Sequence, residues 1–460
     1  MIGFSEGFHD AAISVVNDGQ IVFASHAERY SLKKHDKNLG QLLGQVAKEY
    51  TADKRIGFYE RPIWKKTRQL FAGQYKTVFK RRILSLQPTD YFGHHLSHAA
   101  AAFQTSPFND AACVVVDSIG EWDTASIWKA RVQDDGTVGY WKWWSMKYPK
   151  SIGLWYSALT KWAGFRPLDE EYIFMGMAAF GTPCCTEQVR NLLSRNNHRG
   201  IPPLSSRPEN VAKSAEWVLE GEIRKLFNKA SELSPNICYG GGVALNCVVN
   251  AKLQKDFNMW IMPNPGDAGA SLGAALLCHK RKVEFSPYLG YNIRRTVNPK
   301  EVVKILLNKG IVGVANGRGE FGPRALGNRS LLADPRKIEN KNLVNQIKRR
   351  QKFRPFAPAI LEEHCQDYFH MPPQSRYMSY TYQCKHPDEI PAVVHFDNSA
   401  RVQTVPIDSE SVLRDILEAW YEETGCPVLL NTSLNIRGMP MVNTWEHACQ
   451  FSKKYSVDVV

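Results

Sequence analysis

Short apolar runs separated by polar turns open the chain: IGFSEGFHDAAISVV, then NDG, then QIVFASHAE. Runs of this kind bounded by Gly and Asp read as strands, and Asp18-Gly19 between two of them predicts a tight hairpin. Residues 112–144 repeat the plan as ACVVVDSIGEWDTASIWKARVQDDGTVGYWKWW, with Asp134-Asp135-Gly136 at the second hairpin. Helical stretches follow the copies, near 39–50 and 151–164. Two copies of one strand–turn–strand unit predict a duplicated α/β core.

Further along, NICYGGGVALNCVVNAKLQ (236–254) runs from a strand through a Gly-rich turn into a helix. Residues 259–281 do the same around Pro265-Gly266-Asp267-Ala268-Gly269. A helix start behind glycines leaves backbone N–H groups pointing outward, the arrangement that holds an anion. Composition shifts near 286–300, which predicts a domain boundary. Beyond it, IVGVANG, PAVVHF, RVQTV and CPVLLNTS read as strands, and 338–350 and 410–424 as helices, giving a second α/β domain.

Composition narrows the class. The 460 residues are 43% hydrophobic and 22% charged, enough for two domains with cores. No apolar run approaches the roughly 18 residues of a membrane span, and MIGFSEGFHDAAISVV lacks the basic start and cleavage site of a signal peptide. Ten cysteines without a C-x-x-C pair, several in apolar runs, predict a reduced, cytoplasmic protein. The net charge of +13 favours anionic partners or phosphate-using chemistry and does not choose between them.

That charge is concentrated. From Arg318 to Arg354 there are eleven Lys/Arg and three Asp/Glu. Arg318, Arg324, Arg329, Arg336 and Arg354 sit on Gly- or Pro-bounded turns, where planar guanidinium groups suit a phosphate or carboxyl-like group. The bland alternative is a basic surface loop. His94 and His98 in GHHLSHAAAAF stand i, i+4, which on a helix aims both imidazoles the same way. With Asp117 at the end of CVVVD and Asp267 in the second Gly-rich turn they make a mixed N/O donor set for iron, manganese or zinc; helix-surface or capping histidines are the alternative. Asn431-Thr432-Ser433 reads as a polar strand end or a turn cap, and Glu171 as a ribose ligand or a surface residue.

Read in one order, HHLSHAAAAF, EYIFMGMAAFG, GGGVALN, GDAGASLGAAL, EFGPRALGNRSLLADPR, FRPFAPAI, VHFDNSARVQTV and NTSLNIRGMPMV resemble the NodU/CmcH family of O-carbamoyltransferases over nearly the whole chain. The resemblance implies a duplicated actin-like (ASKHA, ribonuclease-H-like) ATPase-fold domain, residues 1–288, and a C-terminal YrdC-like α/β domain, residues 289–460. It implies that the second makes carbamoyl-adenylate and pyrophosphate from carbamoyl phosphate and ATP with Mg²⁺. The first then moves the carbamoyl group to an acceptor hydroxyl and releases AMP.

Carried over by position, His94, His98, Asp117 and Asp267 match metal ligands, with iron favoured over manganese or zinc. Gly241, Gly242, Val243 and Asn246 match the nucleotide turn, and Glu171 the residue near the ribose. Arg324, Lys348, Arg401, Asn431 and Ser433 match the carbamoyl-phosphate and adenylate pocket, with Arg354 a supporting cation. His9 and Asp10 match the turn facing the acceptor; with Arg324 and Lys348 they make the expected catalytic set. Two departures stand out. The chain ends at SVDVV, where the family continues through a last strand, which would trim an edge of the second domain. The acidic residue usual before FRPFAP is replaced in KRRQKF, raising local positive charge.

The acceptor is a separate question. Residues 61–82 hold eight Lys/Arg and no acid, interleaved with Trp64, Phe71, Tyr75 and Phe79. Residues 140–150 add Trp141, Trp143 and Trp144 among lysines. Cations that track a phosphate backbone and aromatics that stack on bases point to a DNA or nucleotide acceptor, specifically 5-hydroxymethylcytosine in the DNA of a bacteriophage-infected cell. A small natural product or sugar is the equal alternative; further ones are a tRNA threonylcarbamoyl-type enzyme and a nucleic-acid-binding module without turnover. No membrane partner is expected, and a homodimer is allowed.

Overall fold

The computed structural model describes residues 1–8, 10–50, 55–78 and 83–460. Its contacts divide the chain into two compact units, residues 1–27 with 35–285, and residues 28–34 with 286–460. The sequence reading placed 28–34 in the first domain. The difference has a local cause: the Arg29 guanidinium of this segment donates to the Gly322 carbonyl at 2.9 Å.

The first unit is a duplication. Strands β1 (Ile2–Ser5), β2 (Ala12–Asn17), β3 (Gln20–His26), β4 (Ile56–Phe58) and β5 (Asp90–Tyr91) form one sheet in the order β3-β2-β1-β4-β5. Strands β6 (Asp110–Gly120), β7 (Asp123–Val132), β8 (Val138–Lys147), β9 (Asn236–Gly240) and β10 (Asn258–Ile261) form another, in the order β8-β7-β6-β9-β10. In both, the first three strands are antiparallel and the fourth and fifth run parallel to the first. This repeated order is the duplicated α/β core that the two hairpin copies predict, and it matches the actin-like, ribonuclease-H-like fold that the family resemblance implies. Both hairpins fall where expected, with Gly19 and Gly136 at positive φ in their turns.

Two helices pack against each other between these sheets. His94–Gln104 follows the first sheet yet lies on β6, β7 and β9, while Asp267–His279 follows the second and lies on β1, β2 and β4. Gly273 on one helix lies against Ser97 and Ala101 on the other, and the alanines flanking these positions are buried core residues. A Cβ at Gly273 would run into the Ser97 carbonyl. Small side chains are what let two backbones approach this closely, and the approach brings both helix starts to one place.

The second unit is an α/β layer structure. Strands β11 (Tyr288–Ile293) and β13 (Gly317–Glu320) pair with each other. The main sheet has the order β12-β14-β19-β15-β18 from β12 (Ile311–Ala315), β14 (Arg329–Ala333), β15 (Ala357–Leu361), β18 (Gln403–Val405) and β19 (Val428–Ser433). Pro299–Lys309 and Leu413–Thr424 cover one face through Val302, Leu306, Ile416, Leu417 and Trp420. Ile338–Ile347 and Trp445–Tyr455 cover the other through Val344, Ala448 and Phe451.

Two expectations are corrected here. PAVVHF is not a strand: Pro391 to Val393 form a turn, and Ala392, Val393 and Val394 are buried in the core of one sheet face. A short apolar run buried all round does not need strand pairing. The edge expected to be trimmed is covered. Asp458 to Val460 run parallel to β12, with Gly313 N–H to the Asp458 carbonyl at 2.7 Å and Ala315 N–H to the Val460 carbonyl at 2.8 Å. No helix among the described residues is long and apolar enough to cross a membrane, and all ten cysteines are unpaired.

Gly273→Val should lower the free energy of unfolding by about 3 kcal/mol in urea titrations, because the helix pair has no room for the branch. A wild-type midpoint would refute the close-packing account.

Candidate metal centre and anion pockets

In the first unit, four ionisable side chains meet at the junction of the two repeats. His94 and His98 come from the start of one central helix, Asp117 from β6, and Asp267 from the first position of the other central helix. His94 Nε2 lies 3.1 Å from His98 Nε2 and 3.1 Å from Asp117 Oδ2. Asp267 Oδ1 lies 3.5 Å from His94 Nε2 and 3.4 Å from His98 Nε2. One donor atom from each residue falls within 4.8 Å of the others. An i, i+4 helical pair puts the two imidazoles together, and the helix N-terminus favours the Asp267 carboxylate.

This arrangement suits a metal better than it suits four separate groups. Two imidazole nitrogens facing each other and two carboxylates cannot all be satisfied by hydrogen bonds unless a proton sits among them. Burial works against a charge on His98, but hydrogen bonds and the charges of Asp117 and Asp267 outweigh it and push the imidazole up to about 9. Asp117 is likewise drawn well below the usual carboxylate range: burial opposes the shift and the two histidines drive it. Two nitrogens and two carboxylate oxygens fit iron, manganese or zinc.

Neighbouring backbone closes around the cluster. A Cβ at Gly120 would strike the His94 ring. Gly241, at φ 89°, abuts the Val116 carbonyl, and a Cβ on Gly242 would lie 3.1 Å from Asp117 Oδ1. The Gly241 N–H donates to the Pro265 carbonyl at 2.9 Å, which ties the two Gly-rich turns together. Val243 lies in the short helical turn Gly242–Leu245, and Asn246 Oδ1 caps the next helix by accepting the Val249 N–H at 3.1 Å. Glu171 Oε1 accepts the Ser157 hydroxyl at 2.5 Å and the Leu168 N–H at 2.6 Å. Its helix reaches the same turn through Met175, whose sulfur is 4.0 Å from that of Cys247.

His9 lies outside the described residues. Asp10, at φ 55°, is held through Oδ1 by His35 Nδ1 at 2.7 Å, and His35 Nε2 meets Asp169 Oδ1 at 2.8 Å. Glu121 was not singled out by sequence. Its Oε1 accepts the Arg61 N–H at 2.6 Å and the His94 N–H at 3.3 Å, so it caps the helix that carries His94 and His98. An acid beside the Gly120 that yields to His94 is the only signal it offered.

The second unit gathers the other predicted set. Lys348 ends its helix and is buried; its Nζ donates to the Ser433 carbonyl at 2.5 Å, Ser433 Oγ at 3.2 Å, the Asn435 carbonyl at 3.0 Å and Asn435 Oδ1 at 2.9 Å. All four acceptors are neutral. Burial, together with the like charges of Arg350 and Arg354, pushes the ammonium well below its ordinary range. Asn431 stands two residues before Ser433 on β19, opposite Ala357 near the end of the FRPFAP segment. Its Nδ2 donates to the Ala325 carbonyl, next to Arg324, at 3.2 Å and to Gln403 Oε1 at 2.7 Å. Arg401 precedes β18, and its buried Nε meets no hydrogen-bond partner.

The arginine-rich stretch divides in two. Arg329 is wholly buried and donates to the carbonyls of Tyr291, Asn316, Gly317, Asn328 and Asn443. Arg336 grips Asp334 at 2.9 Å and stacks on Trp420, and Arg318 donates to the Leu289 carbonyl. Arg318 and Arg329 thus brace backbone carbonyls, and Arg336 holds a carboxylate. Part of the charge of KRRQKF is also turned inward: Arg350 donates to the Pro355 carbonyl at 3.1 Å and lies 3.8 Å over the Phe356 ring, whereas Arg349 and Lys352 are exposed. Gln403 is the member that sequence reading missed; its spacing of two from Arg401 in an extended run was the available signal.

Family models identify both parts of the chain. The carbamoyltransferase N-terminus matches residues 47–202 and 199–276, and the carbamoyltransferase C-terminus matches residues 303–460. The uncharacterized protein sll1178 of Synechocystis sp. is 32% identical over 590 aligned positions, covering 100% of this chain and 95% of that one. Nodulation protein NolNO of Sinorhizobium fredii is 27% identical, covering 95% of this chain and 75% of its own. Among solved structures, HypF of T. kodakarensis is 12% identical with a TM-score of 0.35 over 60% of this chain and 47% of that one, a likeness too low to carry an argument.

The metal-free protein should lose the His98 contribution to stability as pH rises. A histidine raised to about 9 stabilises fully below its unfolded value near 6.5 and stops doing so above about 9. Manganese or ferrous iron, which needs neutral imidazoles, should raise the melting temperature most at the alkaline end of that window. His98→Ala should remove the metal effect in a thermal-shift titration; a metal response equal to wild type would sink the ligand assignment.

The chain belongs to the carbamoyltransferase family. It is a carbamoyltransferase enzyme, with the nodulation proteins NolNO, NolO and U among its relatives.

Proposed function

We propose that the second unit makes carbamoyl-adenylate and that the first transfers its carbamoyl group to an alcohol. The observation that carries this is Lys348: a buried ammonium whose hydrogen-bond acceptors are all neutral oxygens, near the like charges of Arg350 and Arg354 and bound to Ser433, two residues from Asn431. A desolvated ammonium among like charges is stabilised when an anion arrives. Carbamoyl phosphate supplies that anion together with a planar amide for Asn431, and Arg324, Arg401, Arg354 and Ser433 complete the grip.

Atom balance sets the order of events. The phosphate of carbamoyl phosphate leaves as inorganic phosphate when water cleaves the carbamoyl–phosphate linkage, giving carbamate. A carbamate oxygen attacks the α-phosphorus of Mg²⁺-bound ATP, and pyrophosphate departs. In the first unit the acceptor oxygen attacks the carbamoyl carbon, the bond to AMP breaks, and Asp10, held by His35, takes the hydroxyl proton. Gly241, Gly242, Val243, Asn246 and Glu171 hold the nucleotide. A divalent metal on His94, His98, Asp117 and Asp267 would neutralise charge on the departing AMP phosphate.

For the acceptor, one observation favours a hydroxymethylated pyrimidine in DNA, such as 5-hydroxymethylcytosine. Trp64, Phe71 and Tyr75 are 53%, 68% and 61% exposed in a segment without acids. Against it, many nearby cations are already engaged. Arg61 pairs with Glu121, Lys65 with Glu60 and Lys142 with Asp123, while Arg68 holds the Glu121 carbonyl. Phe79 and the last three basic residues, Lys80, Arg81 and Arg82, lie outside the described residues. A small natural-product or sugar hydroxyl is the competing acceptor.

Lys348→Ala should cut carbamoyl-phosphate-dependent ATP–pyrophosphate exchange by about 100-fold or more, the loss of a charge-assisted contact in a desolvated pocket. Exchange at the wild-type rate would refute the pocket. Incubation with carbamoyl phosphate, ATP, Mg²⁺ and DNA bearing 5-hydroxymethylcytosine should add a carbamoyl mass to the DNA. Absence of that mass, with binding insensitive to salt, would move the acceptor to small alcohols.

A further inference from the structure

We infer that Gln403 is a specificity-determining positioning residue: it fixes which end of the Asn431 amide faces the substrate, and so selects a carbamoyl group over an acyl group of the same shape. The inference rests on the carbamoyl-phosphate pocket proposed above.

The argument is one of hydrogen-bond polarity. Gln403 is 2% exposed and Asn431 1% exposed, so neither amide can turn to water. Gln403 Nε2 donates to the Leu326 carbonyl at 2.9 Å, and Gln403 Oε1 accepts from Asn431 Nδ2 at 2.7 Å. The second proton of Asn431 goes to the Ala325 carbonyl at 3.2 Å. Both chain carbonyls can only accept. Turning Asn431 over would set its oxygen against two other oxygens, and turning Gln403 as well would set an oxygen against Leu326. Each reversal leaves buried acceptors facing one another, which costs far more than the retained orientation.

The amide series therefore has one direction, and it ends at Asn431 Oδ1. That oxygen is buried and has no hydrogen-bond partner. Ser330 Oγ is also buried without a partner, on the neighbouring strand β14, where Ser330 stands directly opposite Ser433. A buried, unpaired acceptor two residues along β19 from the serine that Lys348 holds asks for a neutral N–H donor attached to an anion. The –NH₂ of a carbamoyl group meets that need. The methyl of acetyl phosphate does not, and would leave the acceptor desolvated and unpaired.

The anchor of the series is itself rigid. Glu320 is 3% exposed, and its Oε1 accepts the N–H groups of Leu326 at 2.8 Å, Asn328 at 2.9 Å and Arg329 at 3.2 Å. The Leu326 carbonyl also accepts the Tyr288 hydroxyl at 3.0 Å. The carbonyl that orients Gln403 thus cannot swing aside to accept a reversed amide.

The test follows ATP–pyrophosphate exchange by the full chain with Mg²⁺. It measures KM for carbamoyl phosphate and the inhibition constant of acetyl phosphate as its competitor. Gln403→Met removes the polarity signal with little change of volume. KM for carbamoyl phosphate should rise about tenfold or more, while the acetyl phosphate constant and the KM for ATP stay within about threefold, a spread small beside one lost hydrogen bond.

Gln403→Glu supplies the conservative control. While its carboxyl is protonated it donates to Leu326 and accepts from Asn431, so discrimination should persist at low pH. It should fail as pH rises and the carboxyl ionises against the Leu326 carbonyl, whereas wild type shows no such loss. Equal shifts for both ligands in Gln403→Met, an unchanged carbamoyl-phosphate KM, or a pH-independent Gln403→Glu would each overturn the inference while leaving the pocket standing. A wild-type enzyme without carbamoyl-phosphate-dependent exchange would overturn the pocket and the inference together.

Discussion

Closure of four ionisable groups into one buried cluster is the constraint on which the first unit depends. Charges out of water are tolerated only when they compensate one another, and here two imidazoles and two carboxylates must come within hydrogen-bonding reach. Each residue is brought by a different part of the duplication: one strand end, two turns of one helix, and the first residue of the other. The alanine- and glycine-built helix contact, and the glycines at 120, 241 and 242, follow from that requirement. Larger side chains would hold the backbones apart and leave the carboxylates unpaired.

The pocket proposed for the second unit meets a different problem, the recognition of a small, flat, anionic group. Its answer separates charge from direction. Lys348 offers a cation whose contacts are all to neutral oxygens. Asn431, Gln403 and two backbone carbonyls give the pocket a fixed order of donors and acceptors. A cation alone would take any phosphate; an oriented amide adds chemical identity.

Positive charge on this chain is a poor guide to its partners until the internal pairs are counted. Arg329 serves five backbone carbonyls, Arg336 serves Asp334, and Arg350 braces the turn before β15. In the first unit Arg61 and Arg68 secure the Glu121 turn that caps the helix carrying His94 and His98. Guanidinium groups suit these tasks because their five N–H donors satisfy several carbonyls at once. The same density of arginine that looks like a ligand grip in the sequence is in large part internal scaffolding.

The sequence by itself determined the duplicated hairpins, the helix that pairs His94 with His98, and the motif series that marks the family. These features are local: a tight turn, a period of 3.6 or 2, and a spacing of four each depend on residues near in the chain. Tertiary structure decided what depends on residues far apart. Only folding puts Asp117 and Asp267 beside the histidines, joins residues 28–34 to the second unit, and covers the edge of β12 with Asp458 to Val460. PAVVHF looked like a strand because burial and strand pairing leave the same apolar signature over six residues. Gln403 went unnoticed because an amide has no charge or motif to mark it. Its role comes from two carbonyls more than seventy residues away in the chain, and from the fact that an acceptor cannot face an acceptor.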